Sequence, residues 1–261
     1  MGAICLLTDF GLKDQYVFQM KSVIKRISPS TDIIDITHNI PKFDIHTGAF
    51  VLKQAVRYLP ESAIVVGVVD PGVGSRRRCI AIRAKGLFFV GPDNGLMFEA
   101  VRACGDFEVR EIKSNEVVLK RGGTFDGRDV FAPTAAHLAE GYPFAKLGPA
   151  IKNMVSYRFP RPHIAAGLVI AHILHIDDFG NAILDLTDEE FYDWSKGQLR
   201  FEVQVGGIKF ESGFSKSYIG LVDRGFVVGS SGLLELSTNR RGPASPLIKT
   251  GDVVKIRRLN T

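Results

Sequence analysis

The residues best equipped for chemistry fall in one run, Val68-Val-Asp-Pro-Gly-Val-Gly-Ser-Arg-Arg-Arg78. An apolar stretch, Ile64 to Val69, stops at the carboxylate of Asp70. A Pro-Gly turn follows at once, then Arg76, Arg77 and Arg78. A strand that ends on a carboxylate and turns tightly sets that carboxylate at the end of a sheet, where open α/β sheets bind ligands. An arginine folded back on it gives a fixed Asp–Arg pair that can bind and polarise a small molecule. The competing reading is a plain turn, opened by Asp and relaxed by Gly. It accounts for Pro71 and Gly72 and leaves the arginines as ordinary surface charge.

Four further loops carry similar chemistry. Thr8-Asp-Phe-Gly11 follows the first apolar run, so Asp9 also sits at a strand's carboxyl end. Either it accepts the two hydroxyls of a ribose, or it serves an Asx-turn or helix cap. Gly91-Pro-Asp-Asn-Gly95 is sufficient as turn chemistry alone. Gly122-Gly-Thr-Phe-Asp-Gly-Arg-Asp129 is glycine-rich, holds three ionisable groups and precedes a helix, whose N-terminus attracts anions. It lacks the Gly-Lys-Ser/Thr ending of a phosphate loop. Its alternative is a capping loop with an Asp126–Arg128 or Arg128–Asp129 surface pair. His175-Ile-Asp-Asp-Phe-Gly-Asn181 suits a hairpin, yet an exposed Phe179 beside Asn181 could stack on and hydrogen-bond a base. The six histidines show no helical pairing with a carboxylate, and no metal site is expected.

These loops need elements to aim them. Ala3 to Leu7, Ile33 to Ile36 and Ile64 to Val69 read as strands, and Asp14 to Ile27 and Asp44 to Leu59 as amphipathic helices between them. That alternation describes an α/β sheet, mostly parallel, with flanking helices. Cys79 to Ile82 and Leu87 to Val90 pair through a turn. Gly95 to Val101 and Phe131 to Glu140 are helices, the latter with Pro133 in its first turn. Two prolines in Arg158-Phe-Pro-Arg-Pro-His163 mark a linker. Beyond it come short β-rich runs at 168–174, 182–186, 199–205, 226–228 and 253–257, the pattern of a small all-β barrel. The chain therefore divides into an α/β domain, 1–157, and a smaller C-terminal β-barrel domain, 165–261.

Composition narrows the class. A 45% hydrophobic and 23% charged chain is that of an ordinary soluble protein. The net charge of +5 is too mild and too dispersed to demand a nucleic-acid partner. Three cysteines without a Cys-x-x-Cys pair suit a reducing compartment. No signal peptide and no membrane-spanning run are recognisable, so the expected location is cytoplasmic.

Taken in order, Thr8-Asp-Phe-Gly11, Asp70-Pro-Gly-Val-Gly74 with Arg77, Pro92-Asp-Asn-Gly95, Thr124-Phe-x-Gly-Arg-Asp129 and Asp178-Phe-Gly-Asn181 resemble one family. It is the S-adenosyl-L-methionine (SAM) hydroxide adenosyltransferases, SAM hydrolases related to fluorinase and chlorinase. The resemblance spans both domains. It implies a homotrimer with the site at the subunit interface, and hydrolysis of SAM to adenosine and L-methionine with SAM as substrate and no cofactor. It implies that Asp70 and Arg77 belong to a water-activating Asp-Arg-His triad and that Asp9 binds ribose. Phe179 and Asn181 match adenine contacts, Phe125 is expected to contact the substrate, and Ser230, Glu235 and Asn239 match the C-domain wall.

One position departs. The family's triad His should stand between Phe125 and Gly127, where this chain has Asp126. The halogenases also lack that His, but they lose the Asp-Pro-Gly-Val-Gly pattern as well, so the retained Asp70 and Arg77 favour water over halide. Asp70 is expected to bind the water and take its proton or orient it as hydroxide, with Arg77 fixing Asp70. Asp126 is taken as catalytic with Asp70 and Arg77: a second carboxylate there raises one of the two carboxyl pKa values unless Arg77 or Arg128 compensates, and a carboxyl so raised could still act as a base near neutral pH. The second carboxylate also stabilises the substrate cation in the ground state, so turnover slower than that of a His-bearing relative is expected. The alternative is a SAM- or adenosine-binding protein that is catalytically weak or inactive.

Overall fold

The computed structural model describes residues 2–238 and 247–259. It divides into two compact units, Met1–Arg158 and Phe159–Thr261.

The first unit is an α/β sheet. Its elements are β1 (Ile4–Thr8), α1 (Tyr16–Ile27), β2 (Ile33–Thr37), α2 (Ile45–Ala55), β3 (Ile64–Val68), β4 (Cys79–Ala84), β5 (Leu87–Pro92), α3 (Phe98–Cys104), β6 (Phe107–Glu111), α4 (Ala132–Ala139) and β7 (Ala150–Ile151). The strand order is β2-β1-β3-β5-β4-β6-β7. The β2-β1-β3-β5 half is parallel, in register Ile4↔Ile33, Ile4↔Ile64 and Ile64↔Phe88. The β5-β4-β6-β7 half is antiparallel.

Side chains alternate across the sheet, and two cores result. Ile4, Leu6, Val66 and Val68 pack with Met20 and Ile24 of α1 and Ala135 of α4. Cys5, Leu7, Val65 and Val69 pack on the other face with Leu52 of α2 and Val101 of α3. Strands buried on both faces need continuous apolar runs, and β1 and β3 have them.

Helix boundaries moved for local reasons. Asp44 caps α2 by accepting from the Thr47 N–H at 2.9 Å, and the expected run to Leu59 tightens into a 3-10 turn after Ala55. The helix expected from Gly95 starts at Phe98, because Gly95 has φ +95° and the Asn94 side chain accepts from the Leu96 N–H. A π turn, Gly127–Phe131, precedes α4. Strand β6 is new, its alternation concealed by charged residues.

The second unit contains β8 (His163–Ala165), β9 (Leu168–Ile176), β10 (Ala182–Thr187), α5 (Asp188–Ser195), β11 (Arg200–Val205), β12 (Ile208–Phe214), β13 (Arg224–Val228), β14 (Leu233–Thr238) and β15 (Val253–Arg258). Seven of its strands run β10-β14-β13-β12-β11-β15-β9, and β9 pairs back on β10 to close a barrel. Phe191, Trp194, Phe201 and Phe226 fill its core. Helix α5 interrupts what reads as an all-β region. Its sequence signal is Thr187-x-x-Glu190, a capping box in which both reciprocal bonds form.

At Gly91 a Cβ would lie 2.3 Å from the Gly67 carbonyl oxygen on β3. Gly91→Ala should therefore force β5 away from β3, at a cost of about 2 kcal/mol or more. The Tm should fall by roughly 4–8 °C in a thermal melt. An unchanged Tm would show that the two strands can separate freely there.

Candidate active site

Strands β1, β3 and β5 are neighbours and run the same way, so Asp9, Asp70 and Asp93 line up just beyond their carboxyl ends. Alternation then decides which side chains meet. Val66 and Val68 face α4, and Asp70 continues that parity. Cys79 and Ala81 of β4 face the same side, and Arg77 is two residues before Cys79. The turn from Pro71 to Ser75 carries the chain back so that Arg77 meets Asp70. Gly74 adopts φ +79° within it.

Arg77 is the centre of the cluster. Its Nε donates to Asp70 Oδ1 at 3.1 Å and Oδ2 at 2.9 Å, and Nη2 also donates to Asp70 Oδ2. The same Nη2 donates to Asp126 Oδ2 at 2.6 Å. Nη1 donates to Cys79 Sγ at 2.9 Å, and the guanidinium lies over the Phe131 ring, 5.4 Å from its centroid. Asp70, Arg77 and Asp126 side chains are only 5%, 11% and 11% exposed. Burial opposes the charge on Arg77, but its bonds to Asp70 and Asp126 and the surrounding negative charge prevail, so it holds its proton above the ordinary arginine range. Burial pushes the Cys79 thiol up, with Arg77 working against it.

Asp126 stands at the entry to the π turn without capping it. Its side chain reaches Arg77 instead. Of the two surface pairs the sequence allowed, Arg128–Asp129 forms, with Nε–Oδ1 at 2.7 Å and Nη2–Oδ2 at 2.9 Å, and Asp129 is buried. The compensating charge beside Asp126 is therefore Arg77. Arg78 is committed elsewhere: it pairs with Asp93 and Asn153, while Asp93 also accepts from the Val155 N–H at 2.7 Å.

Asp9 is buried, and its Oδ2 accepts from the Phe43 N–H at 2.8 Å. Lys42 Nζ donates to the Asp9 carbonyl. Phe125 packs edge-on against Phe10 and Tyr16, with centroids 5.4 and 5.2 Å away, so an aromatic cluster lies in the segment that carries Asp126.

In the barrel unit, Asp177 builds the turn between β9 and β10. Its Oδ1 accepts from the N–H groups of Phe179 and Asn181, at 3.0 and 2.9 Å, and its Oδ2 from Asn181 Nδ2 at 2.9 Å. Phe179 is left 69% exposed, as a stacking residue would be. Glu235 on β14 is buried and sits opposite Ile183, two residues beyond Asn181. It accepts from Tyr218 Oη at 2.8 Å. Burial pushes the Glu235 carboxyl up, helped by Asp177 and opposed by the Tyr218 bond. Ser230 is exposed on the turn before β14. Asn239 lies outside the described residues. Cys79, Asp177 and Tyr218 were not anticipated as site residues. The parity of Cys79 with Arg77, and the Asx-turn chemistry of Asp177, are signals that could have found two of them.

The sequence matches the SAM hydroxide adenosyltransferase N-terminal domain over residues 4–148 and the C-terminal domain over residues 171–255. A protein named (R)-S-adenosyl-L-methionine hydrolase from Salinispora arenicola is 43% identical over 70% of this chain and 72% of its own. One of the same name from Thermus thermophilus is 35% identical over 98% of this chain and 100% of its own. The crystal structure of an uncharacterized conserved protein from Thermotoga maritima superposes with a TM-score of 0.90, at 35% identity, covering 98% of this chain and all of that one.

Two outcomes are expected of this geometry. Arg77→Met leaves two buried carboxylates unpaired and should cost about 3–5 kcal/mol in urea unfolding at neutral pH. A loss below about 1 kcal/mol would mean that water already screens the pair. Glu235 has its native pKa above the usual 4.5, so the native state binds that proton more tightly than the unfolded chain. Its ionisation therefore costs stability as pH rises above that value. Glu235→Gln keeps an acceptor for Tyr218, so its Tm should exceed that of the unmodified protein at pH 8 and converge with it near pH 4. A difference independent of pH would contradict this.

Proposed function

The chain belongs to the SAM hydroxide adenosyltransferase family, and on that premise we propose that it hydrolyses S-adenosyl-L-methionine to adenosine and L-methionine. The observation that carries the reading is Arg77 held between two buried carboxylates at the end of β3. Displacement at C5′ expels a neutral thioether from a sulfonium, so the leaving group needs no acid. The demand falls on the nucleophile, which must be held in line and lose a proton. A charged cluster shielded from solvent does both, because its dipoles are fixed before the reaction begins.

Asp70 and Arg77 anchor the attacking oxygen in this reading, Asp9 takes the ribose hydroxyls, and Phe125 lines the same region. Phe179 and Asn181 hold the adenine, with Ser230, Glu235 and Asn239 completing the wall. A carboxylate-lined site repels halide, so water is the nucleophile. The (R) sulfonium epimer named for the relatives is the expected substrate form. Self-association as a homotrimer, with substrate at the subunit interface, belongs to the proposal. So does a cytoplasmic setting that keeps the three free thiols reduced. Among the described residues, no helix is long and apolar enough to cross a membrane.

Purified protein incubated with SAM should release adenosine and methionine in equal amounts by chromatography, and Asp70→Ala should abolish the release. Tight adenosine binding by calorimetry without any turnover would favour the binding-protein alternative instead.

A further inference from the structure

The two carboxylates of the cluster differ in what they have left to offer. Each carboxylate has about four lone-pair directions. Asp70 Oδ1 takes the N–H of Gly72 at 3.2 Å and Arg77 Nε at 3.1 Å. Asp70 Oδ2 takes Arg77 Nε and Nη2. Three N–H groups therefore converge on Asp70, the single Nε hydrogen shared between its oxygens, and both oxygens are engaged by the turn and the guanidinium. Asp126 is held through Oδ2 alone, by Arg77 Nη2 at 2.6 Å, with Cys79 Sγ at 3.9 Å from the same oxygen. Its Oδ1 has no hydrogen-bond partner among the described residues. Oδ2 is thus tied, and the rotamer of Asp126 with it, while Oδ1 is left for a ligand. The side chain of Asp126 is also more open than that of Asp70, 11% against 5%.

We propose that Asp126, through Oδ1, is the base that takes the proton from the attacking water, and that Asp70 is the anchor of Arg77. This rests on the hydrolase reading and sharpens it. The water oxygen forms a bond to C5′ as the C5′–sulfur bond breaks. That electron pair stays on sulfur, giving the neutral thioether of methionine. The water's proton passes to Asp126 Oδ1 and leaves to solvent with the products. Charge balances, since the sulfonium's positive charge reappears as the released proton. Arg77 faces Asp126 from the segment just before β4, with Cys79 and Asp70 the other titratable groups in contact with that guanidinium. Arg77 keeps the two carboxylates apart in role: it holds both oxygens of Asp70 and a single oxygen of Asp126. The carboxylate that stands where the family's histidine is expected thereby fills the role of proton acceptor.

The test compares Asp126→Asn, Asp126→Ala and Asp126→His with the unmodified protein. Asp126→Asn preserves shape and the bond from Arg77 but removes the base. Its kcat should fall about 10²–10⁴-fold, with KM for SAM changed less than about threefold. Formate added to Asp126→Ala should restore part of kcat in a concentration-dependent way, and should not do so for Asp70→Ala. Asp126→His, which supplies another base, should exceed Asp126→Asn in rate. Thermal melts identify any variant that has lost its fold. An Asp126→Asn enzyme with near-normal kcat, or formate rescue of Asp70→Ala alone, would overturn the assignment while leaving the hydrolase reading intact. An unmodified protein that releases no adenosine from SAM would overturn both.

Discussion

One guanidinium holds two buried carboxylates, and the candidate site depends on that arrangement. Removing either charge type exposes the other: without Arg77 two buried anions face each other, and without the aspartates a buried cation is stranded. The burial of all three strengthens the field that any atom bound beside them would meet, because electrostatic interactions grow as water is excluded. Phe131 and Cys79 close the arginine from beneath and beside, so the side chain is fixed on its face as well as at its edges.

The fold delivers this cluster through two simple rules. Parallel strands buried on both faces end together, which brings Asp9, Asp70 and Asp93 to one edge. Alternation of side chains then selects the face, so that Asp70, Arg77 and Cys79 point towards the helix that follows Asp126. The π turn from Gly127 to Phe131 places Asp126 at its entry and Phe131 under the guanidinium. The neighbouring Asp93–Arg78 pair has different work. It ties the strand end to the segment around Asn153 and Val155.

Much of this was legible in the residues. The run from Ile64 to Asp70 announced both a buried strand and a carboxylate at its end, and the glycines of the turn allowed an arginine to return to it. The resemblance then separated Arg77 from its two neighbours, which composition alone could not. Other features were hidden because they depend on partners distant in sequence. Nothing local to Gly122–Asp129 says that Asp126 reaches Arg77, 49 positions earlier, while Asp129 pairs next door. Cys79 opens an apolar strand, and nothing local to it marks it as a partner of Arg77. Strand β6 and helix α5 were obscured by charged side chains that lie on solvent faces.

The central claim is that this cluster delivers a water oxygen to C5′. Turnover of SAM in oxygen-18 water tests it most directly, read by mass spectrometry of both products. The account predicts one heavy oxygen in the adenosine formed and none in the methionine. Adenosine without the label would contradict it.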